Sequence, residues 1–152
     1  MQIAVLYGTE TGNAEMLAED IGAHLGDHEV TVCNLSDFDP TGFDPAVLYL
    51  IVTSTYGEGE LPASAQPFGN AMEAAAPDLT GVHFAVFGMG DSAYPETFNY
   101  GGKRLEEMMK NAGAVMLGER VTHDASGDDL ADDLAFPWAE AVVAIAEPAL
   151  AA

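Results

Sequence analysis

Apolar residues gather into short runs separated by amphipathic stretches. Gln2–Tyr7 (QIAVLY), Val47–Thr53 (VLYLIVT) and Val82–Gly88 (VHFAVFG) are nearly continuous apolar segments of strand length, the pattern of parallel strands covered on both faces. Glu29–Leu35 alternates instead, with Val30 and Val32 set against Thr31 and Cys33, which suits a less buried strand at a sheet edge. A fifth strand is expected near Ala114–Leu117, followed by a loop. Between the first two runs, Ala14, Leu17, Ala18, Ile21 and Leu25 mark one face of a helix, as their helical spacing requires. Leu105, Met108, Met109 and Ala112 repeat the device, with Gly113 placed to end it. Another helix is expected to start after Pro67 and end before Pro77. The last should run through Leu130, Leu134, Trp138, Val142 and Ile145, kinked or split by Pro137, which has no N–H to donate. Strands alternating with helices predict an α/β fold, an open parallel sheet with helices on both faces. One domain over residues 1–148 is expected, with 149–152 a frayed alanine-rich tail.

Ligands of such sheets bind outside the carboxyl ends of the strands, where the strand order reverses. Three loops leave strands there. Tyr7–Glu15 (YGTETGNAE) offers Thr9, Thr11 and Asn13 as donors, Gly12 for close backbone approach, and the N–H groups of the helix that follows. That is an anion site without a charged side chain, or an ordinary capped helix start. It has no lysine, so it is not a nucleotide-hydrolysing P-loop, and a single phosphate fits better than a di- or triphosphate. Thr53–Pro62 (TSTYGEGELP) carries Tyr56 among small residues, either stacking on a planar ligand or packing on its own loop. Phe87–Gly102 carries Tyr94 beyond Gly88, Gly90 and Asp91. Its GMGDSA has Ala93 where the third glycine of a dinucleotide fingerprint would fall.

Charge narrows the partners. Four basic residues stand against 25 acidic ones, a net charge of −21, which repels nucleic acid and anionic membrane surfaces and favours a basic protein partner. Such acidity equally serves solubility or a salty cytoplasm. Cys33 is the only cysteine, which excludes an internal disulfide and reads as a buried, inert thiol. No run approaches the ~20 apolar residues of a membrane span, and the chain reads as cytoplasmic, soluble and monomeric. His24, His28, His83 and His123 are scattered without metal-ligand spacing, so no metal site is expected.

Together the stretches LYGTETGNAE, STYGEGELP and FGMGDSAY resemble the three FMN-binding loops of flavodoxins and of the FMN domains in diflavin reductases. The resemblance covers almost the whole chain, through the Trp138 helix. It implies a five-stranded sheet in the order 2-1-3-4-5, which general accounts of doubly wound folds also cite for flavodoxin itself. The short distance from the fifth strand to the acidic loop at Asp124–Asp129 resembles the short-chain type. By resemblance, Thr9, Glu10, Thr11, Gly12, Asn13 and Ala14 match the phosphate loop, where Ala14 replaces a frequent hydroxyl. Ser54 and Thr55 precede Tyr56, which matches the aromatic on one face of the isoalloxazine ring; Tyr94 matches the one on the other face. Gly88, Met89, Gly90 and Asp91 match the loop at the ring's pyrimidine side. Gly57 matches the peptide that flips as the flavin takes up one electron and a proton, a motion glycine permits.

The resemblance implies a low-potential one-electron carrier, working between a flavodoxin reductase and acceptor enzymes with basic surfaces, and needing no catalytic residue of its own. Glu58, Glu60, Asp91 and Asp124 would disfavour added negative charge on the flavin. An alternative is an FMN enzyme reducing quinones with a nicotinamide cofactor, for whose phosphates four basic residues leave little provision. A receiver domain of the same topology needs an acidic pair after the first strand and an aspartate ending the third. Those positions read GTET and TSTY.

Overall fold

In the computed structural model, residues 1–9, 12–54, 65–90, 100–124 and 130–151 are described. The chain runs β1 (Gln2–Gly8), α1 (Asn13–His24), β2 (Glu29–Asn34), β3 (Val47–Ser54), α2 (Gln66–Ala75), β4 (His83–Gly90), α3 (Tyr100–Asn111), β5 (Val115–Met116), β6 (Val121–Asp124) and α4 (Ala131–Ala151). Two short 3-10 turns lie between β2 and β3. All pairings are parallel, in the expected order β2-β1-β3-β4-β5, with β2 at the edge and β6 also paired to β4.

Central β1, β3 and β4 bury both faces, which explains their unbroken apolar runs. One face packs against α1 and α4, through Leu17, Ile21, Trp138 and Val142. The other packs against α2 and α3, through Phe68, Met72, Leu105 and Met109. The whole predicted stripe of α1 is buried, from Ala14 to Leu25.

Four expectations need correction. The fifth strand position is filled by two segments, both on β4, because Leu117–Arg120 interrupts the ladder and Val121–Asp124 resumes it; the stretch read as a loop is therefore partly strand. α2 begins at Gln66, so Pro67 lies inside its first turn, where a missing N–H costs no intrahelical bond. α4 is not split at Pro137. Pro137 is exposed, and so is Asp133, whose carbonyl loses its bond, leaving that carbonyl open to water. The buried stripe of α4 keeps Trp138 and Val142, with Leu134 packed against the core, but not Leu130 and Ile145, which are exposed; Ala135, Ala139, Val143 and Ala146 are buried as well. Small alanines allow α4 to approach the sheet and α1 closely. α4 runs to Ala151.

Ala76 caps α2 in the left-handed region (φ 42°, ψ 55°), its N–H donating to Met72 O at 2.9 Å. A Cβ is disfavoured there by roughly 1–2 kcal/mol. Ala76→Gly is therefore expected to raise stability by about 1 kcal/mol, the relief exceeding glycine's extra unfolded-state entropy. Urea unfolding checks this, and an unchanged midpoint would show that the cap carries no strain.

Candidate functional site

Strand register builds the site. Gly8 lies opposite Thr53, Thr53 opposite Gly88, and Gly88 opposite Thr122. One step further along, Ser54 pairs with Met89, and Met89 with His123. The carboxyl ends of β1, β3, β4 and β6 therefore form one row, and the three predicted loops leave from the same edge. Thr9, Gly12, Asn13, Ala14, Ser54, Gly88, Met89 and Gly90 are brought together there. Glu10, Thr11, Thr55, Tyr56, Gly57, Glu58, Glu60, Asp91 and Tyr94 lie outside the described residues.

The start of α1 is open. Gly12 occupies its N-cap with φ 95° and ψ −5°, and among the described residues no side chain caps it. A Cβ on Gly12 would meet nothing within 4 Å, so the glycine serves the left-handed backbone rather than space. Its N–H donates to Thr9 Oγ1 at 2.7 Å, closing the turn. The first bond of the helix runs from Met16 N–H to Gly12 O at 3.1 Å. The amides of Asn13, Ala14 and Glu15 thus lie ahead of the helical ladder, as in any first turn. Ser, Thr, Asp or Asn at the cap would normally answer one of them; among the described residues no side chain does. The side chain of Ala14 is fully buried in the α1–α4 core, so what Ala14 offers a ligand is its amide.

Ser54 supplies the complementary signal. Its hydroxyl oxygen is buried and has no hydrogen-bond partner among the described residues. A buried hydroxyl without a partner costs about 1–3 kcal/mol. It stands at the end of β3, one register step beyond the Gly8–Thr53 pair and so beside the start of the loop that leads from β1 to α1. An anion at the open helix start would satisfy it, so the donors present fit a phosphate group. Met89 packs its side chain against the α1–α4 core, so it contributes backbone to the site edge.

Some contributors were not read from the sequence. Gly8 is required by space: a Cβ there would lie 2.8 Å from Ala65 Cβ, 3.1 Å from Thr53 Oγ1 and 3.3 Å from Leu35 Cδ1. The glycine lets β1 end against Thr53, the one buried polar residue among those described. The glycine directly after the first apolar run was the signal for it, whereas Ala65 has no local signature. His123, read only as scattered, is placed by β6 at the site edge opposite Met89.

The remaining titratable groups lie elsewhere. His24 Nε2 meets Glu140 Oε1 at 2.8 Å, and its ring stacks on Phe136 at 4.3 Å. Cys33 is half-buried rather than fully buried. Burial, then the Asp37 carboxylate, raises its thiol pKa and so disfavours the reactive thiolate. Glu106 holds Arg120 at 2.9 Å and Lys110 at 3.4 Å. Among the described residues no group of three His, Cys, Asp or Glu side chains is arranged to hold a metal ion. None of the described helices is long and apolar enough to cross a membrane.

Comparison with known proteins agrees with this arrangement. The flavodoxin family pattern matches residues 5–138. The chain is 37% identical over 145 residues to the flavoprotein alpha-component of the NADPH sulfite reductase of Bacillus subtilis (strain 168), covering 93% of this chain but 23% of that protein. It is 30% identical over 136 residues to protein MioC of Escherichia coli O157:H7, covering 90% of this chain and 92% of MioC. A cysteine-to-serine mutant of flavodoxin from Pseudomonas aeruginosa superimposes with a TM-score of 0.82 at 31% identity over the whole of both chains. The chain thus spans about a quarter of the sulfite reductase component and nearly the full length of the other two. The fifth strand position is interrupted only by Leu117–Arg120, in keeping with short-chain structural relatives. With its family pattern, strand order and open anion site in agreement, the chain belongs to the flavodoxin family, whose cofactor is FMN and whose general chemistry is electron transfer.

Proposed function

We propose that this protein is a low-potential one-electron carrier, receiving electrons from a reductase and passing them to acceptor enzymes. The observation that carries the binding half of this reading is the unpartnered, buried Ser54 hydroxyl beside an α1 start that lacks a capping side chain. In this reading the phosphate is held by the amides of Asn13 and Ala14, the Ser54 hydroxyl and the turn closed by Thr9. The helix start adds about 0.3–1 kcal/mol, up to ~2 where partly buried. Gly88–Gly90 bring backbone to the ring, with Tyr56 and Tyr94 assigned to its faces by family resemblance. Bound FMN accepts and donates electrons at its isoalloxazine ring.

The chain's own part is to make added negative charge costly. β6 brings Asp124 to the site edge opposite Gly90. One carboxylate ~10 Å from a unit negative charge opposes it by roughly 1–2 kcal/mol at an effective dielectric of ~20, before salt screening. Two of the four cations in the sequence, Lys110 and Arg120, are engaged with Glu106, which leaves few to bind a nicotinamide cofactor's phosphates. The test is to mix FMN-loaded protein with NADPH, with and without a catalytic amount of an NADPH-dependent flavodoxin reductase. The visible flavin band is expected to bleach only with reductase; rapid bleaching by NADPH alone would make the protein an oxidoreductase in its own right.

A further inference from the structure

At the phosphate end of the site the donors are neutral and the surroundings anionic. The amides of Asn13 and Ala14 and the Ser54 hydroxyl carry no charge. All four Lys and Arg residues fall between positions 103 and 120, three of them on α3, whose Leu105 and Met109 pack on the sheet face opposite α1. The fourth, Arg120, is held by Glu106 at 2.9 Å. On the face that α1 shares with α4, the two helices contain no Lys or Arg and carry seven carboxylates.

Three of those carboxylates stand at the helix starts: Glu15 in the first turn of α1, Asp132 and Asp133 in the first turn of α4. Both helices start at the carboxyl edge, α1 after β1 and α4 after β6, and β6 adds Asp124 opposite Gly90. A phosphate there meets two forces of different range. Hydrogen bonds from amides and a hydroxyl act at contact, where dissolved ions do not intervene. Carboxylates act across solvent, over distances set by the Debye length, ~10 Å at 0.1 M salt and ~3 Å at 1 M. Added salt therefore removes repulsion and leaves the attraction in place. A site built on Lys or Arg would respond with the opposite sign, since salt would screen its attraction. The net charge of −21 makes the response large, because the field of the whole molecule opposes each added negative charge.

Resting on the reading of the α1 start as the seat of the FMN phosphate, we propose that ionic strength governs cofactor loading in this protein: FMN binds against the molecule's own field, salt strengthens the binding, and a fall in salt releases the cofactor. The carboxylates at the starts of α1 and α4 are the regulating groups, and the neutral donors are the same at every salt concentration. Riboflavin, which has the ring without the phosphate, escapes this control. Any effect of salt on burial of the ring or on folding of the apoprotein acts on both flavins alike, so the difference between them isolates the phosphate.

The test is fluorescence titration of the apoprotein with FMN and with riboflavin at KCl concentrations from about 0.1 to 1 M, at about pH 8, where a phosphate monoester is a dianion. Circular dichroism checks that the apoprotein is folded at each concentration. Across that range the FMN dissociation constant is expected to fall at least about fivefold, and that of riboflavin to stay within about twofold. Glu15→Gln with Asp133→Asn should tighten FMN binding at the lowest salt by at least about twofold and reduce the salt response. Asp27→Asn with Glu147→Gln makes the same change in charge just beyond the end of α1 and near the end of α4, and should have less than half that effect. The proposal is overturned if FMN binding weakens with salt or stays within about twofold, or if riboflavin gains as much as FMN. It is also overturned if the distant pair alters the response as much as Glu15→Gln with Asp133→Asn. Failure of the folded apoprotein to bind FMN at any salt concentration, with riboflavin bound, would remove the phosphate-site reading itself, and the proposal with it.

Discussion

Gly8→Ala is expected to destabilise the apoprotein by about 1–3 kcal/mol, the usual cost of overpacking a filled site, and to weaken FMN binding at least tenfold, about 1.4 kcal/mol. The new methyl would lie 2.8 Å from the Ala65 methyl and 3.1 Å from Thr53 Oγ1. Neither neighbour can turn away, because alanine has no side-chain rotamer to change and Thr53 is fully buried in β3. The strand end must therefore shift, carrying with it the turn held by the Thr9–Gly12 hydrogen bond. Gly42→Ala is the control, since its added methyl meets nothing within 4 Å. Urea unfolding of the apoproteins and fluorescence titration with FMN measure both effects. Full affinity in a folded Gly8→Ala protein would show that the phosphate loop does not depend on this close approach.

How much of this was legible beforehand follows from what each residue needs around it. Continuous apolar runs announced β1, β3 and β4 because strands covered on both faces carry their signal in every residue. Alternation at Val30–Val32 likewise announced an edge. The second half of the fifth strand position was missed because Val121–Asp124 is only half-buried and follows a break containing the left-handed Gly118. The stripe of α4 was right at Trp138 and Val142 but wrong at Leu130 and Ile145, because hydropathy weights leucine and isoleucine above alanine, whereas close helix packing selects Ala135, Ala139 and Ala146. In the site, the open glycine cap of α1 could be read locally. The pairing of Ser54 with Met89 and of Met89 with His123 could not, because register is set by three strands at once.

The folded protein also retains arrangements that stability alone does not select. Among the described residues, the Ser54 hydroxyl is buried without a partner and α1 begins without a capping side chain. Each is unfavourable in the apoprotein, and each lies at the carboxyl edge or at the helix ends beside it. An external phosphate would answer both. A local failure of the folding rules is expected where a site must await something else.

Ser54→Ala separates these roles most sharply, because its two effects have opposite signs. Removing a buried hydroxyl that has no partner relieves a desolvation cost, so the apoprotein should be as stable as the parent or more stable by up to about 1 kcal/mol. Removing a donor to a charged phosphate forfeits about 1.5–3 kcal/mol, so FMN affinity should fall roughly 10- to 100-fold. Ser54→Thr retains the hydroxyl and should recover most of the affinity if the added methyl is accommodated. Riboflavin, which has the ring but no phosphate, should bind the parent and Ser54→Ala proteins equally. A loss of apoprotein stability with FMN affinity intact would instead make the hydroxyl part of the fold, and equal losses for FMN and riboflavin would place Ser54 at the ring and not at the phosphate.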